Sequence, residues 1–126
     1  MTDRDPATDR DGRALAEIVR LCDLGARLVA RGEEWYRGDP DDVPGMAAES
    51  LVMRIGENVA RLSDATTSRY PEVPWSLIKR MRDRLAHHYE GTDKDAVWDT
   101  LVADLPFIRS RIALIVAGDA ARASDA

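Results

Sequence analysis

Both histidines of this 126-residue chain, His87 and His88, stand side by side at the end of a run of cations. From Lys79 to Arg84 there are four cations (Lys79, Arg80, Arg82 and Arg84) and one carboxylate, Asp83, a local charge of +3 before the histidines are counted. The whole chain carries a formal net charge of -5. That balance excludes a generic nucleic-acid coat, which would be basic. One basic segment on an acidic protein points instead to a localised anionic partner such as phosphate. An imidazole titrating near neutrality can act as general base or acid, and a guanidinium beside it can hold a phosphate. Those groups suffice to activate a ribose 2′-OH against its own phosphodiester, and that chemistry calls for no metal. A solvated basic face ending in two capping histidines would have the same composition, so the elements that carry these residues must decide.

Leu15, Ile18, Val19, Cys22, Ala26 and Val29 recur at helical spacings and predict a first helix over about 12–37. The linker GDPDDVPG is dense in turn formers. Leu51, Ile55, Val59 and Leu62 predict a second helix over about 46–63, and TTSRYPEVP reads as a loop. Pro74 suits the first turn of a third helix, about 75–89, which carries the cations and histidines. Gly91 is a stop signal and Asp93 an N-cap for the fourth helix, about 94–117. There Trp98, Leu101, Leu105, Ile108, Ile112 and Ile115 form a narrow 3-4-3-4-3 seam, and Pro106 must kink or locally break the helix. No segment alternates with period two. The fold class is therefore all-α, an antiparallel bundle of four main helices with short loops. Residues 1–11 read as a flexible arm, 12–117 as the bundle and 118–126 as a flexible tail.

Other chemistries find less support. Cys22 is the lone cysteine, which excludes an intramolecular disulfide and a multi-cysteine zinc site, and it lies in an apolar stripe. No Glu-x-x-His pair occurs, against a di-iron bundle. No stretch approaches the roughly 20 apolar residues of a membrane span. The polar N-terminus MTDRDPATDRDG is no signal peptide, so a cytoplasmic location is the expectation.

Helix geometry adds a constraint. At 100° per residue, Trp75, Ile78, Met81 and Leu85 centre one apolar face and Arg82 lies at its edge. Position 87 is about 140° from position 82. Either the helix loosens before Gly91 or a second protomer closes the site. Gly56, inside the second helix, costs about 1 kcal/mol relative to alanine, and close approach of another helix is a reason to keep it. Glu57 either pairs with an arginine of the third helix or contributes to the site directly.

The run Arg82-Asp83-Arg84-Leu85-Ala86-His87-His88-Tyr89 matches the RX4HXY motif of the HepT-like branch of HEPN ribonucleases. Its flanks also resemble that family: Pro74-Trp75, Ile78, Met81, Gly91-Thr92-Asp93, Val97-Trp98, Ile55-Gly56-Glu57 with Leu62-Ser63, and Leu105-Pro106. The resemblance covers roughly residues 12–116. It implies a helical bundle that dimerises, with two copies of the motif around a shared cleft. It implies a metal-independent endoribonuclease with no cofactor. Arg82 would stabilise the phosphate and His87 would handle protons, leaving a 2′,3′-cyclic phosphate.

Lys79, Arg80, Asp83, Arg84 and His88 would support RNA binding. Asp83 stands where asparagine is common in the family, and either orients His87 or repels RNA phosphate. The branch resembles toxins of type II or VII-like toxin–antitoxin pairs, whose antitoxin is a minimal nucleotidyltransferase. Such an antitoxin can attach AMP to the motif tyrosine, here Tyr89, adding bulk and negative charge beside the phosphate site. The expected partners are thus RNA, the nucleotidyltransferase and a second copy of the chain, with scope for a higher assembly with the antitoxin. The alternative is a non-catalytic helical partner that docks a minimal nucleotidyltransferase.

Overall fold

The four stretches with apolar residues at spacings of three and four are all helical in the computed structural model, which describes residues 6–87 and 93–124. In chain order these residues form α1 (Pro6–Ala30), α2 (Glu33–Gly38), α3 (Val43–Ala60), α4 (Asp64–Arg69), α5 (Trp75–His87) and α6 (Lys94–Asp99). A π-helical turn, Thr100–Asp104, then joins α6 directly to α7 (Leu105–Ser124). Among the described residues there is no strand. α1 packs on α3 and on α7, and α3 in turn packs on α5. The fold is all-α, and α1, α3, α5 and the continuous α6–α7 rod are the four main helices anticipated from the sequence.

The core follows the predicted stripes in the main, but in α1 it takes in Leu21 and Leu28, which the predicted stripe omitted, while Ala26 is exposed. Ile18, Leu21 and Cys22 of α1, Ile55 and Val59 of α3, and Ile78 of α5 are buried. So are Leu101, Leu105, Ile108, Ile112 and Ile115 of the seam. Full burial of each aliphatic side chain stabilises by roughly 1.5–3 kcal/mol. Pro106 explains the π turn. It has no N–H to give the carbonyl of Val102, and its ring would press on that carbonyl. The helix widens just upstream, where the Leu105 N–H donates to the Thr100 carbonyl five residues back. The Thr100 hydroxyl donates to the Ala96 carbonyl at 2.9 Å. The break expected at Pro106 thus takes the form of one wide turn.

Several boundaries differ from the sequence reading. Residues 6–11 belong to α1 and not to an arm. Asp11 is buried, and its carboxylate accepts from the Ser63 N–H (3.2 Å), the Ser63 hydroxyl (2.6 Å) and the Thr66 hydroxyl (2.6 Å). Hydropathy reads such a segment as solvated because it cannot see a specific polar partner 52 residues away. The first long helix stops at Ala30, not near 37, because Gly32 adopts φ 99° and α2 starts a new direction. The expected loop after α3 contains α4, with Ser63 as its N-cap, accepting from the Thr66 N–H. At the other end α7 continues through Ser124, beyond the expected limit at 117, as alanine's helix propensity favours.

Candidate functional site

α5 is held at both flanks of its apolar face. Ile78 and Met81 are buried, while Trp75 and Leu85 are half-buried. The Trp75 indole N–H donates to the Tyr70 carbonyl at 2.9 Å, and the Pro74 carbonyl accepts the Ile78 N–H at 3.2 Å, fixing where the helix starts. Pro74 is therefore the residue before the first turn and not within it. Lys79, Arg80, Asp83 and Arg84 are exposed, and Arg82 is half-buried at the edge, as the helical wheel requires.

Arg82 sits against a gap in α3. A Cβ built on Gly56 would lie 2.5 Å from Arg82 Cβ and 3.0 Å from its Cγ and Cδ. The absent side chain at position 56 thus lets α5 close on α3 and lets the Arg82 stem lie across it. The close approach inferred from the sequence is present, and the group that makes it is the motif arginine. Arg82 Nε is buried with no hydrogen-bond partner. Four of the arginines elsewhere pair with carboxylates: Arg20 with Glu17, Arg37 with Glu33 and Asp95, Arg109 with Asp23, and Arg122 with Asp119. Among the described residues, none of the four α5 cations has such a pair. Of the two readings of Glu57, the pairing with an α5 arginine is not formed among the described residues; Glu57 is exposed.

α5 remains helical through His87. No loosening occurs between positions 82 and 87, and on a regular helix they stay about 140° apart. One protomer's helix therefore does not bring the two positions together. Only the backbone of His87 is described; His88, Tyr89 and the Gly91 stop signal lie outside the described residues.

The far side of that segment is pinned by residues that the sequence reading passed over. The Asp93 carboxylate caps α6 as expected, accepting from Asp95 and Ala96 N–H. Lys94 then locks to α2 and the start of α3. Its ammonium donates to the Tyr36 carbonyl at 3.2 Å and stands 2.7 Å from Asp42 Oδ1. That Oδ1 lacks hydrogen-bond alignment, so the attraction is one of charge. The Tyr36 hydroxyl donates to the Lys94 carbonyl at 3.1 Å, and its ring packs on Trp98 with centroids 4.9 Å apart. Burial pushes the Tyr36 phenol up to about 12. Asp42 holds φ 55°, a conformation rare outside glycine, with its carboxylate turned over Gly45. An aromatic at the apparent end of a helix was the one available sign of this clasp.

Cys22 is buried and its thiol pushed up to about 12, mainly by desolvation, which disfavours the thiolate that a nucleophile needs. Among the described residues no group of His, Cys, Asp and Glu is arranged to hold a metal, and no helix is long and apolar enough to cross a membrane.

Among the described residues, α5 thus carries a half-buried arginine without a carboxylate partner and, five residues on, a histidine. The family model described as ribonuclease HepT-like matches residues 26–115. The chain belongs to that family. A protein of Caldanaerobacter subterraneus subsp. tengcongensis named "Putative RNase" is 32% identical over 98 residues, 78% of this chain and 87% of its own length. A "Probable ribonuclease HepT" of Thermococcus cleftensis is 35% identical over 57 residues, 45% of this chain and 52% of its own. A "Putative RNase" of Methanocaldococcus jannaschii is 40% identical over 52 residues, 41% of this chain and 43% of its own. The chain thus spans about half the length of the last two relatives and most of the first. No solved structure matches the chain.

Proposed function

We propose that this HepT-like chain is a metal-independent endoribonuclease, the toxin of a type II or VII-like toxin–antitoxin pair. The observation that carries the reading is Arg82: a cation built into the bundle wall over Gly56, unpaired among the described residues and flanked by exposed Lys79, Arg80 and Arg84. A structural arginine so placed would be expected to have a carboxylate, because a desolvated charge without one is costly. A phosphodiester would supply the missing anion.

In this mechanism His87 takes the proton of a ribose 2′-OH. The oxygen attacks its own phosphorus, and the bond to the 5′-oxygen breaks as that oxygen takes a proton from an imidazolium. A 2′,3′-cyclic phosphate and a 5′-hydroxyl result. Arg82 stabilises the charge growing on the phosphoryl oxygens. The regular helix between positions 82 and 87 favours a site completed across a homodimer, Arg82 of one protomer working with His87 of its partner. Tyr89 is the proposed acceptor of AMP from a minimal nucleotidyltransferase antitoxin, whose added charge would repel RNA.

The test is cleavage of end-labelled RNA by the purified chain in EDTA. Arg82→Ala and His87→Ala should each abolish cutting with the helical fold intact, and full activity in either would sink the assignment. If no RNA is cut by wild-type protein shown by mass to be free of AMP, the chain is better described as a helical docking partner of the nucleotidyltransferase.

A further inference from the structure

The cations of α5 lie on two edges of the helix. At 100° per residue, Trp75, Lys79 and Arg82 fall within about 60° of one another. Arg80, Arg84 and position 87 fall within about 60° of one another on a second edge, with Arg80 and Arg84 each roughly 160° from Arg82. Contacts with the rest of the bundle agree with this division. The Arg82 stem lies across Gly56 on the α3 flank. Arg84 borders a small apolar hollow with Leu85, Ala96 of α6 and Thr100 of the π turn, on the opposite flank. The ridge between the edges is formed by Ser76 and Asp83, both exposed. A strand of phosphates crossing that ridge must pass the Asp83 carboxylate, which repels it.

The two edges differ in chemistry. On the first, Lys79 stands one turn before Arg82, about 4.5 Å along the axis, and Trp75 two turns before it, about 10.5 Å. The Trp75 indole N–H is committed to the Tyr70 carbonyl at 2.9 Å. What the half-buried ring still offers is apolar surface, which suits stacking on a base of any identity. On the second edge Arg80 and Arg84 are one turn apart and both exposed. The Thr100 hydroxyl beside Arg84 already donates to the Ala96 carbonyl at 2.9 Å. This edge offers guanidinium forks for phosphate.

We infer that the two edges hold RNA on opposite sides of the scissile phosphate. The inference rests on the ribonuclease reading, with Arg82 of one protomer working with His87 of its partner. A strand whose scissile phosphate lies between those two groups leaves along the first edge of one protomer, past Lys79 toward Trp75. In the other direction it runs along the second edge of the partner, past Arg84 and Arg80 of the partner subunit. The substrate is then a single strand with phosphates contacted on both sides of the cut and a base stacked at the Trp75 end. The four cations divide into two pairs with separate tasks and do not act as one diffuse basic face.

The experiment uses the full chain in EDTA and a chimeric 2′-O-methyl oligonucleotide with a single ribose, so that only one linkage has an attacking hydroxyl. The phosphodiesters flanking that linkage are replaced one at a time by neutral methylphosphonates, and kcat/KM is measured. An exposed charge pair is worth a factor of roughly 1.5–5, so each contacted linkage should show a loss of that size in the wild type. Lys79→Gln should remove the loss on one side of the cut alone, and Arg80→Gln on the other side alone. Both side chains are exposed, so neither change disturbs the bundle. Trimming the strand on the Lys79 side should raise KM for the wild type but not for Trp75→Leu, with helical circular dichroism checking the fold of that variant. Three results overturn the inference while the ribonuclease reading stands: sensitivity lost on the same side in both variants, sensitivity lost on both sides in each, or a wild type indifferent to flanking charge. A wild type that cuts neither the chimera nor unmodified RNA overturns both.

Discussion

Replacing Gly56 by alanine puts one methyl group at the contact between α3 and the motif arginine. That carbon would lie 2.5 Å from Arg82 Cβ, where carbon pairs prefer roughly 3.5–4.0 Å. The near atom is fixed to the α5 backbone, so the strain cannot be relieved by turning a flexible side-chain end. The helices must part by about 1 Å. Overpacking of this kind costs about 1–3 kcal/mol, and alanine returns about 1 kcal/mol of helix propensity. The net loss of stability should be roughly 0–2 kcal/mol.

Cleavage should suffer more, because a misplacement of about 1 Å can cost on the order of 100-fold in rate. Two other helical glycines are internal controls. A Cβ on Gly12 meets nothing within 4 Å, so Gly12→Ala should stabilise by roughly 0.5–1 kcal/mol. A Cβ on Gly25 meets only the methyl ends of Leu105 at 3.0 Å and Leu101 at 3.4 Å, so Gly25→Ala should fall between the other two. Urea unfolding of the three variants gives the order, and single-turnover RNA cleavage gives the rate. If Gly56→Ala gains as much stability as Gly12→Ala, the close approach is wrong. If it loses stability but cuts RNA at the wild-type rate, the placement of Arg82 does not govern the chemistry.

Further expectations concern groups away from α5. Asp11→Ala removes three hydrogen bonds to a buried carboxylate and should destabilise by about 2–3 kcal/mol in urea unfolding. Burial alone would raise the Asp11 pKa, but its bonds to Ser63 and Thr66, with Arg10 nearby, outweigh that and hold it below the usual 3.8. Its stabilisation is therefore present above that value and lost as pH falls through the lower folded value. Asp11→Asn should flatten that part of the acid-unfolding curve. The Cys22 thiol, pushed up to about 12, should ignore a thiol reagent at pH 8 until urea unfolds the chain; fast reaction of the native protein would show that the helix interior opens. Tyr36, ordinarily near 10 and raised to about 12, should stay neutral in the folded chain while it ionises in the unfolded one. Stability should then fall as pH rises from about 10 to 12, and less so in Tyr36→Phe.

The bundle was legible because the seam from Leu101 to Ile115 and the stripes of α1, α3 and α5 repeat with one period that burial alone enforces. Arg82 at the edge of α5 and the closeness of Gly56 were legible for a related reason: a helical wheel fixes direction, and an interior glycine marks contact. Asp11, Tyr36, Asp42 and Lys94 were not, because each is held by a partner distant in sequence and none repeats. The boundary errors have the same origin. A polar N-terminal turn tied down by Ser63 and a direction change at the positive φ of Gly32 leave no trace in hydropathy. The π turn was foreseen as a disturbance from Pro106, but its form depends on which neighbouring carbonyl the Leu105 N–H can reach.

The separation of charge between α5 and the rest of the chain also sets how a polyanion meets this protein. The net charge of -5 opposes approach on average, while the four α5 cations form an attractive window. At physiological ionic strength the screening length is about 8 Å, so the window acts only on a strand already within that reach. Encounter is filtered by orientation before any contact forms. Lowering the salt extends the repulsion of the whole surface along with the pull of α5. The association rate should therefore rise less on dilution of salt than it would for a uniformly basic binder, and a short, mobile, single-stranded segment should enter the window more readily than a stiff duplex.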